Sequence, residues 1–434
     1  KGDVCLGLTM SHTIERIPSD PSAQVRQRRY RMSEAKAGTD EKDIRRNFRM
    51  RKVLLPVLIG MFAAGWLLWR DLRTERFELV GQGTGTHTWV DVNRNGLVDH
   101  GDPTEFEVAS EGQGVYGRMS VRETLFRIEW TWASTGWILL ALLATAFRDL
   151  GYIFRIRVLS DGHLTWRQAF NVTFLWEFAS ALTPSVVGGS GIAMFIIGRE
   201  GIALGRATAI VLVTALMDEL FYVVMVPVVF LLVGLQDLFP AELDHTFWGL
   251  PIKTIFGIGY GFILLLVLAI FYGVFFRPRA FKFALLRVFK LPFLRRWRPL
   301  VIKVGDDIVT TSEELRGKPK RFWGKAFAAT CFSWANRFVV INLIVAAFFT
   351  VNDHLLLYAR QLIMWVILLI SPTPGGSGIA EIAFSGFFKD LLPAVGYIGA
   401  IAIIWRLLSY YLYLFIGTVV LPRWLRRTRW NGTT

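Results

Sequence analysis

The sequence predicts an all-α polytopic membrane protein, arranged as an inverted-topology repeat with two broken re-entrant helical hairpins and a small extracytoplasmic insertion. Three observations carry this. Of 434 residues 53% are hydrophobic, and several runs exceed the roughly 18 apolar residues that cross a bilayer. The formal charge of +15 sits in segments between those runs, as the positive-inside rule requires, which points to orientation and not to nucleic acid. And the hexapeptide GGSGIA occurs twice, at Gly188–Ala193 and Gly375–Ala380, each copy just after a Thr-Pro pair.

Residues 1–52 are basic and polar and read as a cytoplasmic tail on anionic headgroups. Val53–Trp69 is the first span. Residues 70–126 carry ten acidic against six basic side chains and many glycines, the composition of an extracytoplasmic insertion. Ile128–Phe147 returns the chain, and RDLGYIFRIRV then supplies Arg148, Arg155 and Arg157 to the cytoplasmic side. Residues 127–276 thus hold the rest of the first repeat and the start of the second.

Trp166–Gly198 is the first broken element: an apolar half too short to span, interrupted at TPSVVGGSG and flanked by basic residues on both sides. Ala207–Gly234 crosses outward to an acidic loop, 235–250, and Ile252–Phe276 returns. Residues 277–325 hold fourteen Lys or Arg against four acids, including a basic amphipathic stretch suited to the inner interface. Residues 326–421 complete the second repeat with Ala326–Thr350, the broken element Leu355–Lys389 and Ala394–Leu421. A basic cytoplasmic tail, 422–434, follows. Four elements are followed by the same four in opposite orientation, the plan of many secondary transporters.

A Pro that interrupts an apolar helix at membrane depth, followed by glycines and a new helix, exposes N–H donors that attract anions. The candidate substrate site is therefore Thr183, Pro184, Gly188, Gly189 and Ser190 in the first copy, with Thr373, Pro374, Gly375, Gly376 and Ser377 in the second. The competing reading is that the glycines only permit close helix packing. GGSG also fits the G-x-S-G string of intramembrane serine proteases, but none of the six histidines lies inside a span to serve as base.

Ionisable residues within spans are costly and mark function. Asp218 and Glu219 lie midway through one span, Arg406 midway through the last, and Glu381 six residues after Gly375. The thirty-first residue after each first glycine is Glu219 in one half and Arg406 in the other. Arg406 is the phosphate contact, since guanidinium binds phosphate bidentately, unless these charges only lock the two halves together. Glu177 and Arg337 are weaker candidates, placed nearer an interface.

The insertion contains DVNRNGLVDHGD. Its spacing matches the start of an EF-hand loop, with Asp91, Asn93, Asn95, the Leu97 carbonyl, Asp99 and Asp102 as ligands for a structural Ca2+. An Asx-rich turn around Asn95-Gly96 is the alternative.

Pro-Thr-Pro-Gly-Gly-x-Gly-x-x-Glu (Pro372–Glu381), Arg406 followed by LLSYY, and LTPxxxGG preceded by RDLGYIFRIR together resemble the lysylphosphatidylglycerol synthase transmembrane-region family, which includes the flippase half of the multiple peptide resistance factor. The resemblance covers roughly Arg127–Leu421 and departs where Met194 stands in place of Glu381. It implies a non-enzymatic flippase or scramblase-like transporter of an anionic or headgroup-modified phospholipid or glycolipid, in a bacterial inner membrane with both termini cytoplasmic. The aminoacyl-transferase domain of two-part members has no counterpart, so lipid synthesis is not expected. A gradient-driven carrier of a small anion, or a non-transporting subunit of a lipid-modifying system, is the alternative. The partners expected are membrane lipid and a second copy of the chain, as a homodimer; nucleic acid is not.

Overall fold

The computed structural model describes most of residues 75–120 and 130–428, apart chiefly from 93–97, 99–101, 241–249, most of 289–311, 370–378 and 393–397, with scattered positions in 66–74 and 121–129. The tail 1–52 and nearly all of the span Val53–Trp69 lie outside the described residues.

Among the described residues, ten helices of more than one or two turns follow one another: α1 (Trp132–Leu159), α2 (Trp166–Leu182), α3 (Ser185–Arg199), α4 (Leu204–Val233), α5 (Ile252–Phe271), α6 (Pro278–Val288), α7 (Lys320–Ala346), α8 (His354–Leu369), α9 (Ile379–Phe388) and α10 (Ile398–Arg427). Of these, α1, α4, α5, α7 and α10 are long and apolar enough to cross a membrane. The shortest has 20 residues, about 30 Å at 1.5 Å per residue. The chain is a multi-pass α-helical membrane protein.

Start signals in the sequence set the helix ends. Thr131 caps α1 by accepting from Ser134 N at 3.0 Å. Thr165 and Gln168 form a reciprocal capping box at the start of α2. The positive φ of Gly234 ends α4. α10 carries one π-helical turn, Leu407–Tyr411, immediately after Arg406, a distortion often found at functional sites.

The packing of α1 is inside-out relative to a soluble protein. Leu139, Leu143, Leu150 and Phe154 are exposed along one stripe, while Arg148 and Arg155 are 2% and 3% exposed on the other. Such a helix is stable only if its apolar face meets hydrocarbon and its charges meet protein. This corrects the reading of RDLGYIFRIRV as a cytoplasmic segment: α1 continues through it to Leu159, and two of its three arginines are core residues. Only Arg157 is peripheral, its Nε donating to Leu164 O at 3.1 Å while its guanidinium covers Trp166.

The longest interface of the bundle runs between α1 and α7, and α2 packs against both α3 and α10. The first broken element is present as the helix pair α2–α3. α2, however, ends at Leu182 with Thr183 as its C-cap, and the GGSG string is helical within α3. Its glycines therefore do not break the helix as the sequence suggested. Gly189 lets α3 approach α2: a Cβ there would stand 2.9 Å from Ser180 Cα and closer still to Ser180 Oγ. Gly189→Ala is expected to cost about 1–3 kcal/mol, as over-packing does, read as a lowered melting temperature in detergent. An unchanged melting temperature would contradict the packing role. The second broken element is represented by α8 and α9, and the link between them, with Thr373, Pro374, Gly375, Gly376 and Ser377, lies outside the described residues.

The insertion forms a four-stranded antiparallel sheet of β1 (Glu75–Leu79), β2 (His87–Trp89), β3 (Phe106–Val108) and β4 (Tyr116–Ser120), in the order β1-β4-β2-β3. Phe77 and Phe106 stack at 4.2 Å in its small core, and Trp89 Nε1 donates to Glu105 Oε2 at 3.1 Å.

Candidate functional site

A cavity of about 280 Å³ lies among α1, α2, α3, α4, α7, α8, α9 and α10. It brings together seven of the residues singled out from sequence: Thr183, Ser190, Asp218, Glu219 and Arg406, and the weaker candidates Glu177 and Arg337, all line it. Thr183 is there because α2 stops at it; its hydroxyl donates back to Ala179 O at 2.8 Å. Ser190 reaches the cavity from α3, one residue beyond the close approach at Gly189. Gly188 lies within α3, and Pro184 lies outside the described residues. Glu381 falls in the first turn of α9, with its side chain outside the described set, although its neighbour Ala380 lines the cavity.

Two ion-pair networks frame the space. Arg155 clamps Asp218 through two nitrogens, at 2.5 Å to Oδ1 and 3.1 Å to Oδ2, and donates to Thr330 Oγ1 at 3.0 Å. Trp334 Nε1 adds a bond to Asp218 Oδ1 at 2.8 Å. These contacts tie α1, α4 and α7 around one carboxylate. The second network centres on Arg148, which donates to Glu177 and, at 2.7 Å, to the Tyr413 hydroxyl. Tyr413 donates in turn to the Asp149 carboxylate at 3.0 and 3.1 Å, so α1, α2 and α10 are joined. A buried charge survives at membrane depth only when paired and hydrogen-bonded in this way.

Two further guanidinium groups reach the cavity and rest on aromatic faces. Arg337 lies 4.8 Å from the Trp334 ring centre and 4.3 Å from that of Trp365. Arg406 lies 4.2 Å from the centre of Tyr410, whose hydroxyl donates to Ala181 O beside the end of α2. Each guanidinium lies over the face of an aromatic ring, a cation–π contact that holds its charge in the lining of the cavity. Glu219, by contrast, is 6% exposed with its Oε2 buried and unbonded among the described residues.

Reasoning from sequence missed Arg148 and Arg155, and it placed Glu177 and Arg337 too far out; Glu177 and Arg337 both line the cavity. A signal was present. Arg148, Tyr152 and Arg155 recur at four and three residues, the spacing of one helix face, immediately after an apolar run that could be extended in phase.

Of the loop read as a calcium site, Asp91 and Asp102 are described, while Asn93, Asn95, Leu97 and Asp99 lie outside the described residues. Asp102 caps the short turn Pro103–Glu105: its Oδ1 accepts from Thr104 Oγ1 at 2.7 Å and from Thr104 N at 2.9 Å. Those bonds lower its pKa, so the second oxygen is an ionised donor suited to a hard cation. Calorimetric titration of the whole protein is expected to show binding of Ca2+ in the millimolar range that Asp91→Ala removes. No heat up to several millimolar would dispose of the metal.

The cavity belongs to the part of the chain that known proteins share. The chain resembles "UPF0104 membrane protein" of Archaeoglobus fulgidus, with 26% identity over 336 residues, covering 70% of this chain and 94% of that protein. The family described as the lysylphosphatidylglycerol synthase TM region matches residues 120–417, a range that begins at the end of β4 and includes every residue named here as lining the cavity. The chain belongs to this family.

Proposed function

We propose that the protein moves an anionic or headgroup-modified phospholipid or glycolipid between leaflets, as a flippase or scramblase-like transporter and not as an enzyme. One observation carries the reading: two guanidinium groups held over aromatic rings, Arg337 and Arg406, line one cavity with Thr183, where α2 ends, inside a bundle whose outer faces are apolar. A space of about 280 Å³ suits a headgroup and its phosphate; the acyl chains would stay in the bilayer. The family is named for the membrane region of a lipid-synthesis protein, which favours a lipid over a free anion as cargo.

In this account α2–α3 and α8–α9 are the two re-entrant hairpins of an inverted repeat, entering from opposite sides. Thr183, Ser190 and Arg406 contact the headgroup, with Asp218 and Glu219 beside them and Gly189 holding α3 close to α2. Thr373, Pro374, Gly375, Gly376 and Ser377 are the sequence counterparts in the second copy of the motif, which Glu381 directly follows. The basic segments next to the spans support cytoplasmic termini, and the location that goes with this reading is a bacterial inner membrane.

The test is reconstitution with fluorescent phosphatidylglycerol in both leaflets, followed by bleaching from outside. The expected result is that protein makes the inner-leaflet label accessible. If label stays protected while the same vesicles take up a small anion such as phosphate, the lipid reading is wrong and the carrier reading replaces it.

A further inference from the structure

The carboxylates lining the cavity are not held alike, and the difference centres on one group. Arg155 and Asp218 neutralise each other through a two-nitrogen clamp, and Glu177 is held by Arg148. Arg337 and Arg406 add positive charge to the lining, and Glu219 adds negative charge. Glu219 follows Asp218 directly in α4, yet Arg155 and Trp334 give their hydrogen bonds to Asp218. The Glu219 Oε2 is buried and unbonded among the described residues.

The same is true of two neutral hydroxyls that line the cavity, Thr173 Oγ1 and Thr214 Oγ1, and of Arg337 Nε. Buried polar atoms without partners are rare and mark places where water or a ligand is bound. The other titratable groups of the lining, Tyr152 on α1, Tyr222 on α4 and Tyr410 and Tyr413 on α10, are phenols, a type that is neutral across the physiological range.

We propose, building on the lipid-transport reading, that Glu219 is the proton-binding site that couples transport to a pH gradient. Its Oε2 takes a proton from water on one side of the membrane, passes the occluded state as a neutral carboxyl, and releases the proton to water on the other side. No bond other than O–H forms or breaks, and nothing is oxidised or reduced. Protonation removes a negative charge from the lining that Glu219 shares with Arg337 and Arg406, so the cavity becomes more cationic and binds an anionic headgroup more tightly. Loss of the proton reverses this and favours release. The linkage is reciprocal: a bound phosphate also favours the protonated form of Glu219. Proton and anionic headgroup therefore travel together.

Two measurements on the whole protein test this, and they fail separately from the lipid reading. In proteoliposomes, a gradient of about one pH unit at one proton per lipid is expected to build an about tenfold leaflet asymmetry of labelled phosphatidylglycerol. The label should accumulate on the alkaline side, and a protonophore should abolish the asymmetry. Glu219→Gln should abolish it too. Infrared difference spectra of the protein in nanodiscs, across a pH step, should show a protonated-carboxyl stretch that Glu219→Gln removes. Lipid that equilibrates regardless of the gradient, or an asymmetry that survives in Glu219→Gln, overturns the proposal. If no lipid moves in any condition, the transport reading fails, and the infrared band alone decides the proton site: present in the native protein and lost in Glu219→Gln supports it, unchanged by the substitution refutes it.

Discussion

Arg148→Met is expected to lower the unfolding free energy by about 3–5 kcal/mol, the largest stability effect of any single substitution considered in this bundle. The reason is what it leaves behind. Arg148 is 2% exposed and donates to Glu177 and to Tyr413, which itself serves Asp149. Removing the guanidinium leaves the Glu177 carboxylate of α2 and the Asp149 carboxylate of α1 with no counter-charge within the network. It also removes a cation held over the rings of Tyr152 and Tyr413. Thermal unfolding in detergent would show the loss. A second variant separates charge from shape: Arg148→Met combined with Glu177→Gln removes both partners of the pair and should recover part of the stability. An Arg148→Met effect within about 0.5 kcal/mol, the range of surface substitutions, would mean that the network does not hold the helices together.

The second large effect concerns transport. Arg406→Ala should slow lipid translocation about tenfold to a hundredfold, the equivalent of losing one charge-assisted contact of about 1.5–3 kcal/mol to a phosphate. Arg406 stands at the junction of α10 with its π turn, 5% exposed, with its guanidinium over Tyr410. That position holds the group still and aims it at the cavity. Arg406→Lys keeps the charge but gives up the fork that grips two oxygens, so an intermediate rate is expected. Equal rates for all three proteins, with unchanged melting temperatures, would remove Arg406 from the binding site.

Much of this was legible in the sequence, for reasons that differ by element. The spans α4, α5 and α7 are visible because a bilayer demands long apolar runs, and few soluble designs produce them. Asp218, Glu219 and Arg406 stand out because a charge within such a run is expensive and needs a cause. α1 was read short for the same reason: Arg148, Asp149 and Arg155 ended its apolar run, and their partners, Glu177, Tyr413 and Asp218, lie 29, 264 and 63 residues away from them. Pairing at that distance leaves no local trace. The role of GGSG was half legible. Repetition marked the place, but whether glycine breaks a helix or lets two helices touch depends on Ser180 across the interface, which the string does not contain. The sheet of the insertion escaped notice because two of its strands have three residues and its turns are rich in glycine, so little alternation accumulates.

The central claim is that lipid headgroups pass through the cavity between Thr183, Ser190 and Arg406. It is tested most directly by blocking that space. With Cys5 and Cys331 replaced by serine and alanine, Ser190→Cys presents a single thiol to the cavity, and proteoliposomes carrying it can be treated with a bulky charged methanethiosulfonate. Translocation of labelled phosphatidylglycerol should proceed before treatment, stop after it, and return when the adduct is reduced. Full translocation by Ser190→Cys protein that mass spectrometry shows to carry the adduct would contradict the account.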